Sequence, residues 1–115
     1  MSEVDASEAI FQEQVIQVAA TCGWDCHHIR PGKYGNHYKT DGLKGMPDLI
    51  LIGQRGQGII FAELKTRTGK LSEVQEARIV QLLNNGVEVH VWRPADMDRI
   101  VKRLQERRKV VAEPM

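Results

Sequence analysis

A small α/β domain, a mixed sheet flanked by helices in the order αβββαβα, is predicted by three features of this sequence. Apolar residues recur at helical three- and four-residue steps near both ends, in 7–22 and again after Asp96. Two short Ile/Leu-rich runs, Leu49-Ile50-Leu51-Ile52 and Ile59-Ile60-Phe61-Ala62, flank a glycine-punctuated reversal, which predicts a hairpin. A capped helix then separates that hairpin from a strand of alternating valines, Val87, Val89 and Val91. The intervening helix makes this last strand parallel to its predecessor, through a right-handed crossover.

The first helix is expected over 7–22, with Glu8, Phe11, Val15, Val18 and Cys22 on its apolar stripe and Gly23 as its stop. Trp24 to Arg30 alternates as a first strand. Cys22, Cys26, His27 and His28 do not have the spacing of a tetrahedral zinc set, so the cysteines are expected in the core. Residues 31–45 show no periodicity and are rich in glycine, which predicts a long loop. Ser72 caps the next helix with Gln75 as its capping-box partner, and Ala77, Val80 and Leu83 are expected to face inward. Asp96 is expected to cap the final helix, with Met97, Ile100, Val101 and Leu104 inward and Arg99, Arg103, Arg107, Arg108 and Lys109 outside or at its end. Residues 1–6 and 112–115 are expected to fray.

At 115 residues the chain 1–115 is expected to form one domain, with no room for a second core. It is 42% hydrophobic and 27% charged, ordinary for a globular protein, and no apolar run is long enough to span a membrane. The acidic start Met-Ser-Glu-Val-Asp is unlike a signal peptide, so a cytoplasmic location with reduced cysteines is expected. A net charge of +1 does not by itself announce nucleic acid; the distribution is more informative. Basic residues gather in 30–44, 65–70 and 99–109, where they could frame a phosphate-cleaving site.

The chemistry is concentrated in the hairpin. If the turn is centred between Arg55 and Gly56, Ile52 faces Ile59, Ile50 faces Phe61, and Asp48 faces Glu63. Lys65 falls on the same side because strand side chains alternate. Opposed carboxylates are unfavourable unless a positive group lies between them. Mg²⁺, or Mn²⁺, suits such a pair, because it is held by one or two carboxylates and completes its shell with water and phosphate oxygens. The implied reaction is phosphodiester hydrolysis, with Asp48 and Glu63 as metal ligands and Lys65 serving the water or the developing charge. Ile50, Ile52 and Phe61 would be the platform behind them.

In the loop, Lys33, Lys39 and Lys44 interleave with Tyr34, His37 and Tyr38, a mixture suited to phosphates and unpaired bases. His28, at a strand end, is a candidate phosphate donor or a packing residue. Arg67 and Lys70, just beyond Lys65, are further candidates for DNA contact. Glu8 admits two readings, a first-turn acid that complements the helix dipole or a third metal carboxylate.

Gly45-Met46-Pro47-Asp48, Glu63-Leu64-Lys65-Thr66, Gly69-Lys70-Leu71-Ser72 with Gln75, Gly86-Val87-Glu88-Val89 and Trp92-Arg93-Pro94 together resemble the VRR-NUC family, within the PD-(D/E)XK nuclease superfamily. The similarity extends from about Ser7 to about Leu104. It implies a restriction-endonuclease-like core and a metal-dependent DNA endonuclease. It also implies that a first-helix glutamate joins the site, Glu8 being the better match and Glu13 the competitor. Gln75 would assist beside Lys65, a role that competes with capping for one side chain. The resemblance further implies branched or Holliday-like DNA as substrate, and such a symmetric junction calls for a C₂ homodimer. Trp24, Trp92 and the last helix are candidate pairing surfaces. The alternative is a catalytically silent nucleic-acid-binding or interaction module of the same fold.

Overall fold

The computed structural model describes residues 3–29, 33–34, 37–38, 43–54 and 56–107, without the side chains of 3–6, 33–34 and 37–38. Helix α1 (Glu3–Thr21) leads to strand β1 (Asp25–His28), a short ribbon of β2 (Lys33–Tyr34) and β3 (His37–Tyr38), and the hairpin β4 (Leu49–Ile52) and β5 (Ile59–Leu64). Helix α2 (Glu73–Asn84), strand β6 (Glu88–Trp92), a 3-10 turn at Pro94–Asp96 and helix α3 (Met97–Gln105) complete the chain. The main sheet has the order β1-β4-β5-β6. Its first three strands are antiparallel, and β6 runs parallel to β5 with α2 as the crossover. Among the described residues no helix is long and apolar enough to cross a membrane.

The hairpin register is the one the sequence predicts, with Ile50 opposite Phe61 and Ile52 opposite Ile59. Leu49, Leu51, Ile60, Ala62 and Leu64 are fully buried, each large side chain contributing roughly 2 kcal/mol on burial. They join Phe11, Val15 and Ala19 of α1 and Ile100 and Leu104 of α3 in one core. The predicted platform is therefore on the less covered face: Ile50 and Phe61 are half-buried, and Ile52 and Ile59 are 40% and 52% exposed. Both faces of these strands are apolar in sequence, so alternation alone cannot tell which one receives two helices.

Several other expectations are corrected. Helix α1 begins at Glu3, before the predicted start at Ser7. The loop 31–45 contains the antiparallel ribbon of β2 and β3. In α2 the half-buried stripe is Gln75, Arg78, Ile79 and Leu82, while Ala77 is exposed and Val80 and Leu83 are 54% and 51% exposed. Both stripes carry helical spacing, and Gln75 and Arg78 on the inward one hydrogen-bond to Glu63 and to the Lys44 carbonyl.

Trp24 and Trp92 are buried at 3% and 5% exposure, which removes them as pairing surfaces. The Trp24 indole N–H donates to the Leu104 carbonyl at 2.9 Å, tying the first strand to the end of α3. Arg103 is not an outer basic residue. Its guanidinium donates to the Glu88 carboxylate at 2.7 and 2.9 Å and to the Gln57 carbonyl at 2.8 Å, and it lies over the Trp24 ring. Asp96 occupies the N-cap position of α3 without capping it. Its carboxylate instead accepts from the Arg93 backbone N–H at 2.9 Å and pairs with Arg99, which holds it below the usual carboxylate range. Cys22 and Cys26 are free thiols packed against the core, and burial raises that of Cys26. Arg108 and Lys109, like the predicted frayed end 112–115, lie outside the described residues.

Candidate active site

One further step along the hairpin register, beyond the pair Leu49 and Ala62, sets Asp48 opposite Glu63. Asp48 Oδ2 accepts the Leu64 backbone N–H at 2.9 Å, and its carbonyl accepts the Ile29 N–H at 2.7 Å. Asp48 is thereby fixed from both neighbouring strands. Glu63 is only 2% exposed. Lys65 Nζ lies 3.3 Å from Glu63 Oε2, and Gln75 Nε2 donates to that same oxygen at 3.1 Å. The other oxygen, Oε1, is buried with no hydrogen-bond partner among the described residues.

Gln75 closes the predicted capping box and reaches Glu63 with the same side chain. Its Oε1 accepts the Ser72 backbone N–H at 2.9 Å while its own backbone N–H donates to Ser72 Oγ at 3.1 Å, which closes the capping box. The backbone donor requires an oxygen, so the amide NH₂ is left to face Glu63. No competition arises, because the two ends of one amide serve different partners.

Burial first and the Asp48 charge second push the Glu63 carboxyl up from its usual 4.5 to about 7, against the opposing pull of Lys65. A buried carboxylate beside another carboxylate, with one oxygen unpartnered, fits a divalent cation, whose charge would offset both penalties. Among the described residues no group of three His, Cys, Asp or Glu side chains stands together in a metal-holding arrangement. The carboxylates that meet here are the pair Asp48 and Glu63. Two carboxylates are what Mg²⁺ commonly takes, with water and phosphate oxygens making up its shell.

Glu8 is half-buried on α1, and Glu13 is exposed with Gln17 within 3.4 Å. Lys44 is exposed on the loop entering Asp48, and Arg67 and Lys70 are exposed on the loop leaving Lys65. That second loop is held by Arg93, whose Nη1 donates to the Thr66 and Gly69 carbonyls, each at 2.7 Å. His28 is exposed and paired with Leu49, so it lies on the core-side face of the sheet. His27, paired with Ile50, shares the face of Asp48 and Glu63 and was discernible from strand alternation. The side chains of Lys33, Tyr34 and His37, and all of Lys39, lie outside the described residues.

The sequence pattern of the VRR-NUC domain matches residues 11–96. Glu13 falls within that span and Glu8 just before it. Among solved structures, a protein described as a VRR_NUC domain shares the fold with a TM-score of 0.62 at 22% identity, over 84% of this chain and 95% of that one. No curated protein matches the chain. The mixed sheet, the hairpin site, α2 and the greater part of α1 thus lie in the span that the domain pattern matches, and the chain belongs to the VRR-NUC family.

Proposed function

We propose that this chain is a divalent-metal-dependent DNA endonuclease acting in replication, recombination or repair. Its family is of nuclease type, and the observation that carries the finer reading is Glu63, buried beside Asp48 with Oε1 unpartnered. Asp48 and Glu63 would hold Mg²⁺ or Mn²⁺, which when bound supplies Lewis-acid polarisation of a phosphate and a water of lowered pKa. Lys65 supplies positive charge where negative charge develops on the phosphoryl oxygens, and its contact with Glu63 keeps it in place. Gln75 orients the Glu63 carboxylate from the start of α2. Glu8 or Glu13 of the first helix would join this set only by moving toward it, since no third carboxylate stands with the pair among the described residues. Lys44, Arg67 and Lys70, with Lys33, Tyr34, His37 and Lys39, would contact the DNA, giving salt-dependent binding, whereas His28 lies on the opposite face of the sheet.

Branched or Holliday-like DNA is the proposed substrate, cut by a C₂ homodimer. Exposed Ile52, Ile59, Val80 and Leu83 support pairing through one end of the site-bearing face, since α2 ends where β6 begins opposite Ile60. The test is cleavage of matched linear, flapped and four-way-junction DNA with Mg²⁺, Mn²⁺ or EDTA, beside sedimentation. Metal-dependent cutting that falls at least about a hundred-fold in Lys65→Ala is expected, with symmetric cuts on the junction. A wild-type protein that neither cuts DNA nor binds Mn²⁺ would be the silent binding module. A wild type that sediments only as monomer, with and without DNA, would remove the geometric basis for junction resolution.

A further inference from the structure

Helix α2 has no fully buried residue, yet its first two turns touch what precedes Asp48 as well as Glu63. Gly45, at φ +73, lies so close that a Cβ there would meet the Val74 carbonyl oxygen at 2.4 Å. Immediately before it, the Lys44 carbonyl accepts from Arg78 Nε at 2.9 Å, and Arg78 Nη1 is itself occupied by Gln81 Oε1 at 2.7 Å. Arg78 lies one turn beyond Gln75, on the same half-buried stripe. Only Met46 and buried Pro47 separate this contact from Asp48. Proline restricts its own φ and the conformation of the residue before it, so displacement at Lys44 and Gly45 is transmitted toward Asp48 with little slack.

We propose that Arg78 is a positioning residue for the metal pair: it fixes the Lys44-Gly45 backbone on α2 and, through Pro47, sets where Asp48 stands relative to the Glu63 held by Gln75. Helix α2 is then a brace between the two carboxylates, with Gln75 at one and Arg78 at the other. The inference rests on the reading of Asp48 and Glu63 as metal ligands. A planar guanidinium anchored on both sides suits the task better than a lysine, which offers one mobile ammonium.

Calorimetric titration of the metal-free protein with Mn²⁺ alone tests this, using wild type, Asp48→Ala, Arg78→Ala and Arg78→Lys, each with a thermal melt. Arg78→Ala is expected to weaken Mn²⁺ binding about ten-fold, the lower end for loss of a group that orients ligands, and Arg78→Lys to recover part of that loss. Folded Arg78→Ala that binds Mn²⁺ as wild type does, while Asp48→Ala does not, would overturn the proposal and leave the nuclease reading intact. Mn²⁺ binding unchanged in Asp48→Ala would instead overturn the ligand assignment, and the inference with it. Should Arg78→Ala fail to fold, Arg78→Lys decides: a melt lowered by the substitution with unchanged Mn²⁺ affinity makes Arg78 merely structural.

Discussion

Glu63 concentrates the electrostatics of the site in one side chain. Its folded pKa, about 7, stands above its usual 4.5 because burial, and then Asp48, disfavour the anion. Between those values the folded state binds more protons than the unfolded one, so the stability that Glu63 contributes at low pH is lost as pH rises through about 7. The loss is on the order of 3 kcal/mol in metal-free protein. Thermal melts in EDTA should therefore show wild type weakening from pH 5 to pH 8, with Glu63→Gln much flatter. Equal slopes for the two proteins would mean that another group titrates. The residues that meet here were legible because period-2 alternation and a glycine-defined turn fix a register. Arg78 and Arg93 were not, because their partners are backbone carbonyls of Lys44, Thr66 and Gly69, and a carbonyl leaves no mark in sequence.

Helices were easier to find than to orient. Ser72 and Gln75 announced the start of α2 correctly, but its half-buried stripe combines Ile79 and Leu82 with the polar Gln75 and Arg78 instead of following Val80 and Leu83. Similarly, the apolar stripe of α3 is inward at Ile100 and Leu104, while Arg103 joins it there. Charge patterning suggested a solvated arginine because Glu88 lies fifteen residues away on another element. Removing Arg103 would leave the Glu88 carboxylate without its guanidinium partner and strip the cation from the Trp24 face. Arg103→Ala should cost about 3 kcal/mol, as breaking a largely buried ion pair does, measured by urea unfolding. A loss below about 0.5 kcal/mol would class the pair with solvent-exposed bridges.

For the whole molecule, the four strands of the main sheet, the hairpin register and the parallel crossover were readable, since each follows from local pattern and chain-handedness rules, whereas the β2-β3 ribbon was not. The side of the sheet that takes α1 and α3 was not, because it depends on how three separate segments pack together. The placement of both carboxylates on one hairpin, with α2 added afterwards in sequence, also has a kinetic consequence. A hairpin closes in microseconds from contacts near in sequence, so Asp48 meets Glu63 early. The Gln75 contact that completes the surroundings of Glu63 forms only when α2 docks. Raising the pH from 5.5 to 8 in metal-free protein should then slow refolding modestly and accelerate unfolding more, as stopped-flow chevrons would resolve. If the refolding limb carried the whole change, α2 would already be docked at the barrier, and the order in which the molecule assembles its charge would be the reverse of its order in energy.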